Sequence, residues 1–289
     1  KTILNERLAQ LKSIAKNYNL IDHMGKMDDR LMDDELGLMV LIIGEGNFGK
    51  SSLINALAGK PIAPVAIIPK TFKIDVYCAS LSQYEYAMVR MKNTKTKIRI
   101  SIEETMMKYQ EEEIAITQAR KANEKRDAEI IEVIWYRTGL AYGSEICLVD
   151  SPGLSQFSLS DNINSERTLV KGLGANYRVE DIWEKWYHRA DLVLWTFAAD
   201  KMESAESKRT VEILCNKQRK EIIPVATKAD QVETKRWEEV HTRYQYIYGK
   251  LLGQYMIADL QLTVCGGKSC LVGTGIKELR AKLLELAPE

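Results

Sequence analysis

The sequence predicts an α/β fold of three layers, with a mixed and mostly parallel sheet and an amphipathic helix added at the N-terminus. Short apolar runs with the length of buried strands recur along the 289 residues, at 38–43, 146–149, 190–197, 222–226 and 260–264. More polar stretches separate these runs, as in folds whose parallel strands are covered by helices on both faces. A glycine-rich loop joins the first run directly to a predicted helix.

Weaker patterns complete the predicted sheet. Further strands are expected at 72–77, 84–91, 97–102 and 130–136. Between the last two lies a charged helix at about 103–125, with a thin apolar stripe of Met106, Met107, Ile114 and Ala115. We interpret it as a solvated surface helix, with a partner surface as the second interpretation. A helix over 275–284 closes the fold.

The N-terminal residues form a segment of their own in this interpretation. Apolar side chains at Leu4, Leu8, Leu11, Ala15 and Tyr18 recur in steps of three and four, which predicts an amphipathic helix over 2–21. The helix either packs on the domain's own surface or forms half of a neck that pairs with helices of a longer chain. We therefore divide the chain into an arm, 1–36, and a domain, 37–289.

Composition restricts the class of protein. Hydrophobic residues make up 45% of the chain, enough for a substantial core. Lys+Arg 41 balance Asp+Glu 40, so nucleic-acid binding is not indicated. The five cysteines contain no C-x-x-C pair, which predicts neither a zinc knuckle nor a disulfide framework and favours a reducing, cytoplasmic setting. The sequence shows no signal peptide and no apolar run near the ~18 residues of a membrane span.

The loop at 44–51, GEGNFGKS, fits the phosphate-binding pattern G-x-x-x-x-G-K-[ST] at every fixed position. A strand is predicted before it and a helix over 51–58 after it, with Gly59 as the C-cap. Glycines let successive backbone N–H groups turn inward and form an anion site at the helix N-terminus. We expect Lys50 to reach the β- and γ-phosphates of a nucleotide and the Ser51 hydroxyl to bind Mg²⁺. Nucleotide contacts are predicted from Gly44, Glu45, Gly46, Asn47, Phe48, Gly49, Lys50, Ser51 and Ser52.

Two further elements are predicted to sense the γ-phosphate. Thr71 ends a loop with three prolines, where a threonine hydroxyl and carbonyl can contact that phosphate and Mg²⁺. Asp150 ends a buried run and begins Asp150-Ser151-Pro152-Gly153, a D-x-x-G pattern whose Asp would hold a water on Mg²⁺ and whose Gly N–H would bond the phosphate. The predicted metal residues are Ser51, Thr71 and Asp150, and the predicted catalytic residues are Lys50, Asn47, Thr71 and Gly153.

The tetrapeptide Thr227-Lys228-Ala229-Asp230 follows the run 222–226 and predicts the base. The Asp230 carboxylate can accept two hydrogen bonds from guanine, whereas adenine lacks that pair of donors and would leave the carboxylate unpaired. The Lys228 stem can lie over the ring. Cys265 and Gly266 stand where a backbone N–H would meet guanine O6. The predicted ligand is therefore GTP or GDP.

The ordered set GxxxxGKS, Thr71, DSPG and TKAD resembles the GTPase superfamily over about residues 38–284. Three segments within it look like the bacterial dynamin-like proteins: 44–57, Pro69-Lys70-Thr71 before an alternating strand, and 190–195. The expanded middle of the chain also looks like that group. The resemblance implies a GTPase head on helical necks and stalks, self-association on membranes, and GTP hydrolysis with Mg²⁺ that is stimulated when two heads meet. It also implies membrane contact through regions outside this chain, and thus a cytoplasmic protein peripheral at a membrane.

At two places the sequence departs from the patterns of related GTPases, and at a third it matches the potassium-stimulated GTPases. Eukaryotic dynamins carry a catalytic glutamine where this chain has Gly46, and 265–267 lacks the S-A-K pattern of small GTPases. Asn47 matches the N-x-G-K-S form of potassium-stimulated GTPases, which implies a K⁺ at that position. Three functions remain open: a GTPase acting on membranes, a regulatory GTPase switch of the tRNA-modification or ribosome-assembly kind, and a nucleotide-binding scaffold with little turnover.

Overall fold

The computed structural model describes residues 37–64, 74–92, 94, 96–122, 129–151, 186–199, 221–244, 246, 263–264 and 275–287. Its strands are β1 (Leu38–Ile43), β2 (Ile74–Ala79), β3 (Tyr86–Met91), β4 (Lys97–Ile100), β5 (Ile130–Arg137), β6 (Ile146–Asp150), β7 (Leu192–Ala198), β8 (Glu221–Thr227) and β9 (Thr263–Val264). Its helices are α1 (Lys50–Ala58), α2 (Ile102–Lys121), α3 (Trp237–Tyr244) and α4 (Ile276–Leu286), with 3₁₀ turns at Ala229–Gln231 and Thr234–Arg236. The helix predicted over 2–21 lies outside the described residues.

The described strands form one sheet in the order β4-β3-β5-β2-β6-β1-β7-β8-β9. Five neighbouring pairs are parallel: β6 with β1, β1 with β7, β7 with β8, β8 with β9, and β2 with β5. The antiparallel pairs are β2 with β6, β3 with β5, and β3 with β4. The predicted mixed and mostly parallel sheet is therefore confirmed.

Helices cover both faces of this sheet and produce the three predicted layers. On the first face, Leu53 of α1, Tyr109 of α2 and Leu279 of α4 share one hydrophobic cluster with sheet residues. On the second face, Trp186 and Val240 belong to another cluster. Every residue of β1, β6 and β7 is buried, because the central strands are covered on both sides. This explains why they are continuous apolar runs in the sequence. We call the first side the α1 face.

The α2 helix packs through a different stripe from the predicted one. Tyr109 and Ile116 are buried, as is Thr105, whereas Met107 and Ile114 are 62% and 57% exposed. The buried side chains follow one face of the helix at steps of four and seven. The stripe seen in the sequence combined residues from two sides of the helix: Met106 packs against the cluster of the α1 face, whereas Met107 and Ile114 face solvent.

A disulfide joins two adjacent strands of the core, contrary to the expectation drawn from cysteine spacing. Cys78 in β2 and Cys147 in β6 are bonded, with their Cα atoms 4.5 Å apart and a sequence separation of 69 residues. The pair extends the antiparallel register by one step beyond Tyr77 and Leu148. Both cysteines are almost fully buried. Spacing along the chain could not reveal this bond because it depends on which strands become neighbours.

A buried carboxylate connects the outer strands to the segment before β7. Glu132 in β5 is 1% exposed. It makes salt bridges with Arg90 of β3 at 2.5 Å, Lys97 of β4 at 2.9 Å and Arg189 at 3.2 Å. Burial alone would raise the pKa of Glu132, but the charges of Arg189, Lys97 and Arg90 outweigh it and lower the pKa to about 2. Glu132 is therefore a charged group whose partners hold four segments together.

Candidate nucleotide site

The carboxyl ends of the parallel strands β1, β6, β7 and β8 meet at one edge of the sheet, which we call the carboxyl edge. In open α/β sheets this is the edge at which ligands bind. The loop 44–49 leaves β1 there and leads into α1. A side chain at Gly44 would place its Cβ 2.1 Å from the Thr196 Oγ and 2.5 Å from the Thr196 carbonyl oxygen, so only glycine fits. Thr196 of β7 therefore packs directly against the start of the loop.

Two other loop residues adopt left-handed backbone conformations. Gly49 has φ 81° and serves as the N-cap of α1. Asn47 has φ 63°, a conformation that asparagine tolerates better than most residues. These angles turn the loop tightly between strand and helix, as an anion-binding loop requires.

The side chain of Lys50 bends back over this loop. Its Nζ donates to the carbonyl oxygens of Gly44 at 3.0 Å and Glu45 at 2.8 Å, and the residue is only 8% exposed. These two bonds hold the ammonium group at the centre of the loop. A phosphate placed there would meet a fixed positive charge together with the N-terminus of α1.

A hydroxyl and a carboxylate meet beside the lysine. The Ser51 Oγ donates to the Asp150 Oδ2 at 2.9 Å, linking the first turn of α1 to the end of β6. Ser151 fixes the next residue by donating from its Oγ to the Ile42 carbonyl at 2.7 Å. Hydroxyl and carboxylate oxygens are the ligands that Mg²⁺ prefers, so this pair fits the ion. Since no group of three or more His, Cys, Asp or Glu side chains in the described part could hold a metal, phosphate oxygens and waters would complete the shell.

The predicted base motif contacts the phosphate loop directly. Thr227, the last residue of β8, places its Oγ 2.6 Å from the Phe48 carbonyl and 3.1 Å from the Phe197 carbonyl. Lys228 then takes a left-handed conformation, φ 55°, and begins the 3₁₀ turn that contains the exposed Asp230. The sequence placed Thr227 in a nucleotide motif, but its bond to the loop backbone is a finding of the structure.

Four of the predicted residues lie outside the described part of the chain. They are Thr71, Gly153, Cys265 and Gly266. The structure therefore brings together the loop residues, Ser51, Asp150 and Thr227, while the roles predicted for these four stay predictions.

Several buried polar side chains that support the site were missed by sequence reasoning. Asn55 of α1 accepts from the backbone N–H groups of Ile62 and Ala63 and donates to the Ala63 carbonyl, at 2.7–2.8 Å, which anchors the loop after the helix. The Thr196 hydroxyl donates to the Ile43 carbonyl at 2.9 Å. A polar residue within an otherwise apolar helix or strand was the available signal for both.

Asp75 is a further polar residue at the same edge. It is 2% exposed and stands directly opposite Asp150 in the antiparallel pair of β2 and β6. Its Oδ1 accepts from the Trp135 Nε1 at 2.8 Å and its Oδ2 accepts from the Tyr109 hydroxyl at 3.0 Å. In the sequence, Asp75 was one polar residue in an alternating strand, and nothing there marked it.

Comparison with known proteins agrees with this geometry. The dynamin family model matches residues 40–229, more than half of the chain. Two solved chains of an oligomerised bacterial dynamin pair, described as providing a mechanism for the long-range sensing and tethering of membranes, have the same fold. The first is 18% identical with a TM-score of 0.56, covering 97% of this chain and 42% of that one. The second is 15% identical with a TM-score of 0.54, covering 91% and 36%.

This chain thus spans less than half the length of either bacterial dynamin. No curated protein matches the sequence. In the described residues, no helix has both the length and the apolar composition to cross a bilayer. The family match covers the phosphate loop, the Ser51–Asp150 pair and the start of the base motif. The chain therefore belongs to the dynamin family.

Proposed function

We propose that this chain binds GTP together with Mg²⁺ and hydrolyses it to GDP and phosphate. Three motifs converge at the carboxyl edge, and the 2.6 Å contact between the Thr227 Oγ and the Phe48 carbonyl joins two of them. The base motif and the phosphate loop are therefore held at a fixed separation, which supports recognition of a whole nucleotide rather than of a lone phosphate.

The side chains of this site suit phosphoryl transfer, in which positioning and charge stabilisation supply most of the catalysis. Lys50 would neutralise charge on the β- and γ-phosphate oxygens from the position that the loop carbonyls give it. Ser51 and Asp150 would hold Mg²⁺, which supplies further positive charge to the same oxygens. We also propose that Thr71 completes the metal shell and that the Gly153 N–H contacts the γ-phosphate.

The base preference is tested at Asp230. Asp230→Asn should weaken GTP binding and favour xanthine nucleotides, because an amide matches the exchanged donor and acceptor of xanthine. Competition between labelled GTP, ATP and XTP measures this preference. Equal affinity of the unmodified chain for ATP and GTP would show that the base motif has been misinterpreted.

We further propose that the chain is a dynamin-like head that self-associates and acts at membranes from the cytoplasmic side. The family and the two bacterial dynamin chains, one of a pair described as oligomerised and as sensing and tethering membranes, support this extension. Membrane contact would come from regions outside this chain. We propose that residues 1–36 form an arm separate from the GTPase domain, 37–289.

GTP turnover measured across protein concentrations, with and without lipid vesicles, tests the proposal. A specific activity that rises with concentration supports hydrolysis stimulated by paired heads. A low rate that never changes with concentration or lipid would instead favour a nucleotide-binding scaffold, which the missing side chain at Gly46 also favours. Absence of any Mg²⁺-dependent binding of GTP would overturn the proposal itself.

A further inference from the structure

A second buried carboxylate, that of Asp75, lies beside Asp150, which together with Ser51 is proposed to hold Mg²⁺. Asp75 pairs directly with Asp150 across β2 and β6. Side chains directly opposite in an antiparallel pair point to the same face, with Cβ atoms ~4.5–5.5 Å apart. Asp150 accepts the Ser51 hydroxyl of α1, so both carboxylates lie on the α1 face. They are 2% and 5% exposed, which places two acidic groups side by side within the protein.

Two hydrogen bonds fix the direction of the Asp75 carboxylate. The indole N–H of Trp135 donates to one oxygen and the Tyr109 hydroxyl to the other, at 2.8 and 3.0 Å. Both donors are neutral, so these bonds stabilise the carboxylate without cancelling its charge. Trp135 belongs to β5 and Tyr109 to α2, so two different elements prevent Asp75 from turning away from Asp150.

The charges of both carboxylates affect one buried side chain, that of Tyr77. Tyr77 is fully buried on the α1 face, and its hydroxyl has no hydrogen-bond partner among the described residues. Burial raises the pKa of Tyr77 well above its usual value, and the charges of Asp75 and Asp150 raise it further. Two like charges this close are unfavourable in a protein interior unless a cation is near.

We infer that Asp75 is a positioning residue of the magnesium site, where its charge strengthens the binding of Mg²⁺ to the nucleotide-loaded chain. An ion held by Ser51 and Asp150 would lie beside both carboxylates, and its positive charge would offset their two negative charges. Asp75 acts through the local field and the orientation of Asp150. This inference rests on the proposed GTPase function, and it adds a residue that the loop and switch motifs do not contain.

Release of a fluorescent GDP analogue, measured against free Mg²⁺, tests the inference without relying on hydrolysis. Asp75→Asn should raise the Mg²⁺ concentration at the midpoint by roughly tenfold, as expected for a charge several ångströms from the ion in a partly polarisable interior. Tyr109→Phe removes one hydrogen bond but keeps the charge, so its midpoint should move by less than about threefold. Binding of the analogue in EDTA checks that each variant is folded.

The outcomes distinguish a failure of the proposed GTPase function from a failure of the role inferred for Asp75. If release from the unmodified chain does not depend on Mg²⁺, the proposed function fails. If that dependence is present and Asp75→Asn has the same midpoint as the unmodified chain, the role of Asp75 is wrong. If Asp75→Asn does not fold, the tryptophan fluorescence of the unmodified chain tests the inference instead, because the Trp135 indole N–H donates a hydrogen bond to Asp75. Adding Mg²⁺ to the GDP-bound protein should change the emission, and most of this change should be absent in Trp135→Phe; an equal change in that variant would refute the inference.

Discussion

Lys50 places a fixed positive charge in the phosphate loop, and removing this charge should mainly weaken the binding of GTP. A charged hydrogen bond of this kind contributes about 1.5–3 kcal/mol, so Lys50→Ala should weaken GTP binding by roughly 10–150-fold. Lys60 offers a matched control just beyond the other end of α1, where it bonds Glu85 at 3.2 Å. Lys60→Ala should leave the affinity unchanged in the same fluorescence titration. Unaltered GTP affinity in Lys50→Ala would mean that phosphate binds elsewhere.

At the residue scale, sequence reasoning found the groups whose chemistry is carried by a local pattern. Lys50, Ser51 and Asp150 each stand at a fixed position of a short motif, and the structure brings all three together. Asp75 could not be found this way, because its hydrogen-bond partners are 34 and 60 residues away. Its importance depends on which strand lies opposite, and that information is absent from the local sequence.

Glu132 links β5 to β3, β4 and the segment before β7, so its charge state should affect the stability of the whole sheet. Its folded pKa, about 2, is below the ordinary value of 4.5. The stabilisation is therefore complete above pH 4.5 and is lost as the pH falls from 4.5 towards 2. It should be on the order of 3 kcal/mol, as the shift in pKa implies.

Urea unfolding of Glu132→Gln measures this effect. At pH 7 the variant should be less stable by about 3–5 kcal/mol, because three cations lose their shared partner. At pH 3 the difference from the unmodified chain should become smaller, because below pH 4.5 the unfolded chain takes up a proton at Glu132 while the folded chain keeps this carboxylate charged. A difference that stays constant between the two pH values would contradict the lowered pKa.

The disulfide between β2 and β6 is a second connection between elements. A cross-link that closes a loop of this length, with a separation of 69 residues, typically stabilises a fold by about 2–4 kcal/mol. Reductant should therefore lower the urea midpoint of the unmodified chain. The double variant Cys78→Ala with Cys147→Ala should show no response to reductant. Thiol titration in denaturant gives an independent check: an equal count of thiols before and after reduction would exclude the bond.

At the element scale, each predicted strand has a counterpart among the described strands, but some of the strand ends differ for local reasons. β3 was predicted to begin at residue 84 and begins at Tyr86. The hydroxyls of Ser80 and Ser82 both donate to the Tyr84 carbonyl and thereby hold that residue in the preceding turn. The central strands were predicted more closely, since their burial on both faces leaves a continuous apolar signal.

At the scale of the molecule, the order of strands could not be predicted although their identity could. The sheet places β2 and β5 between β6 and the β3–β4 pair, so the outer strands extend the sheet beyond β2. This arrangement brings Asp75 beside Asp150 and Glu132 beside Arg90. Both contacts follow from long-range pairing, whose specification lies in the whole set of packed side chains rather than in any single segment.

The behaviour of two heads together is also a property of the whole molecule. Gly46 has no side chain with which to orient water, and charge that develops between the β- and γ-phosphates must still be neutralised. We predict that the Asn47 amide oxygen helps to bind a K⁺ that supplies this charge. Its remaining ligands would be carbonyls of residues 67–71, brought into place when two heads meet.

GTP turnover should therefore be low in dilute protein, rise with concentration, and be faster in potassium than in lithium salts. Asn47→Ala should lose the response to potassium while keeping most GTP binding. Because Asn47 has φ 63°, alanine also strains the loop, and Asn47→Gly separates the two effects by removing the amide at an angle that glycine accepts. If Asn47→Gly retains the potassium response, the amide only shapes the loop. Equal rates in potassium and lithium across all protein concentrations would rule out the cation altogether.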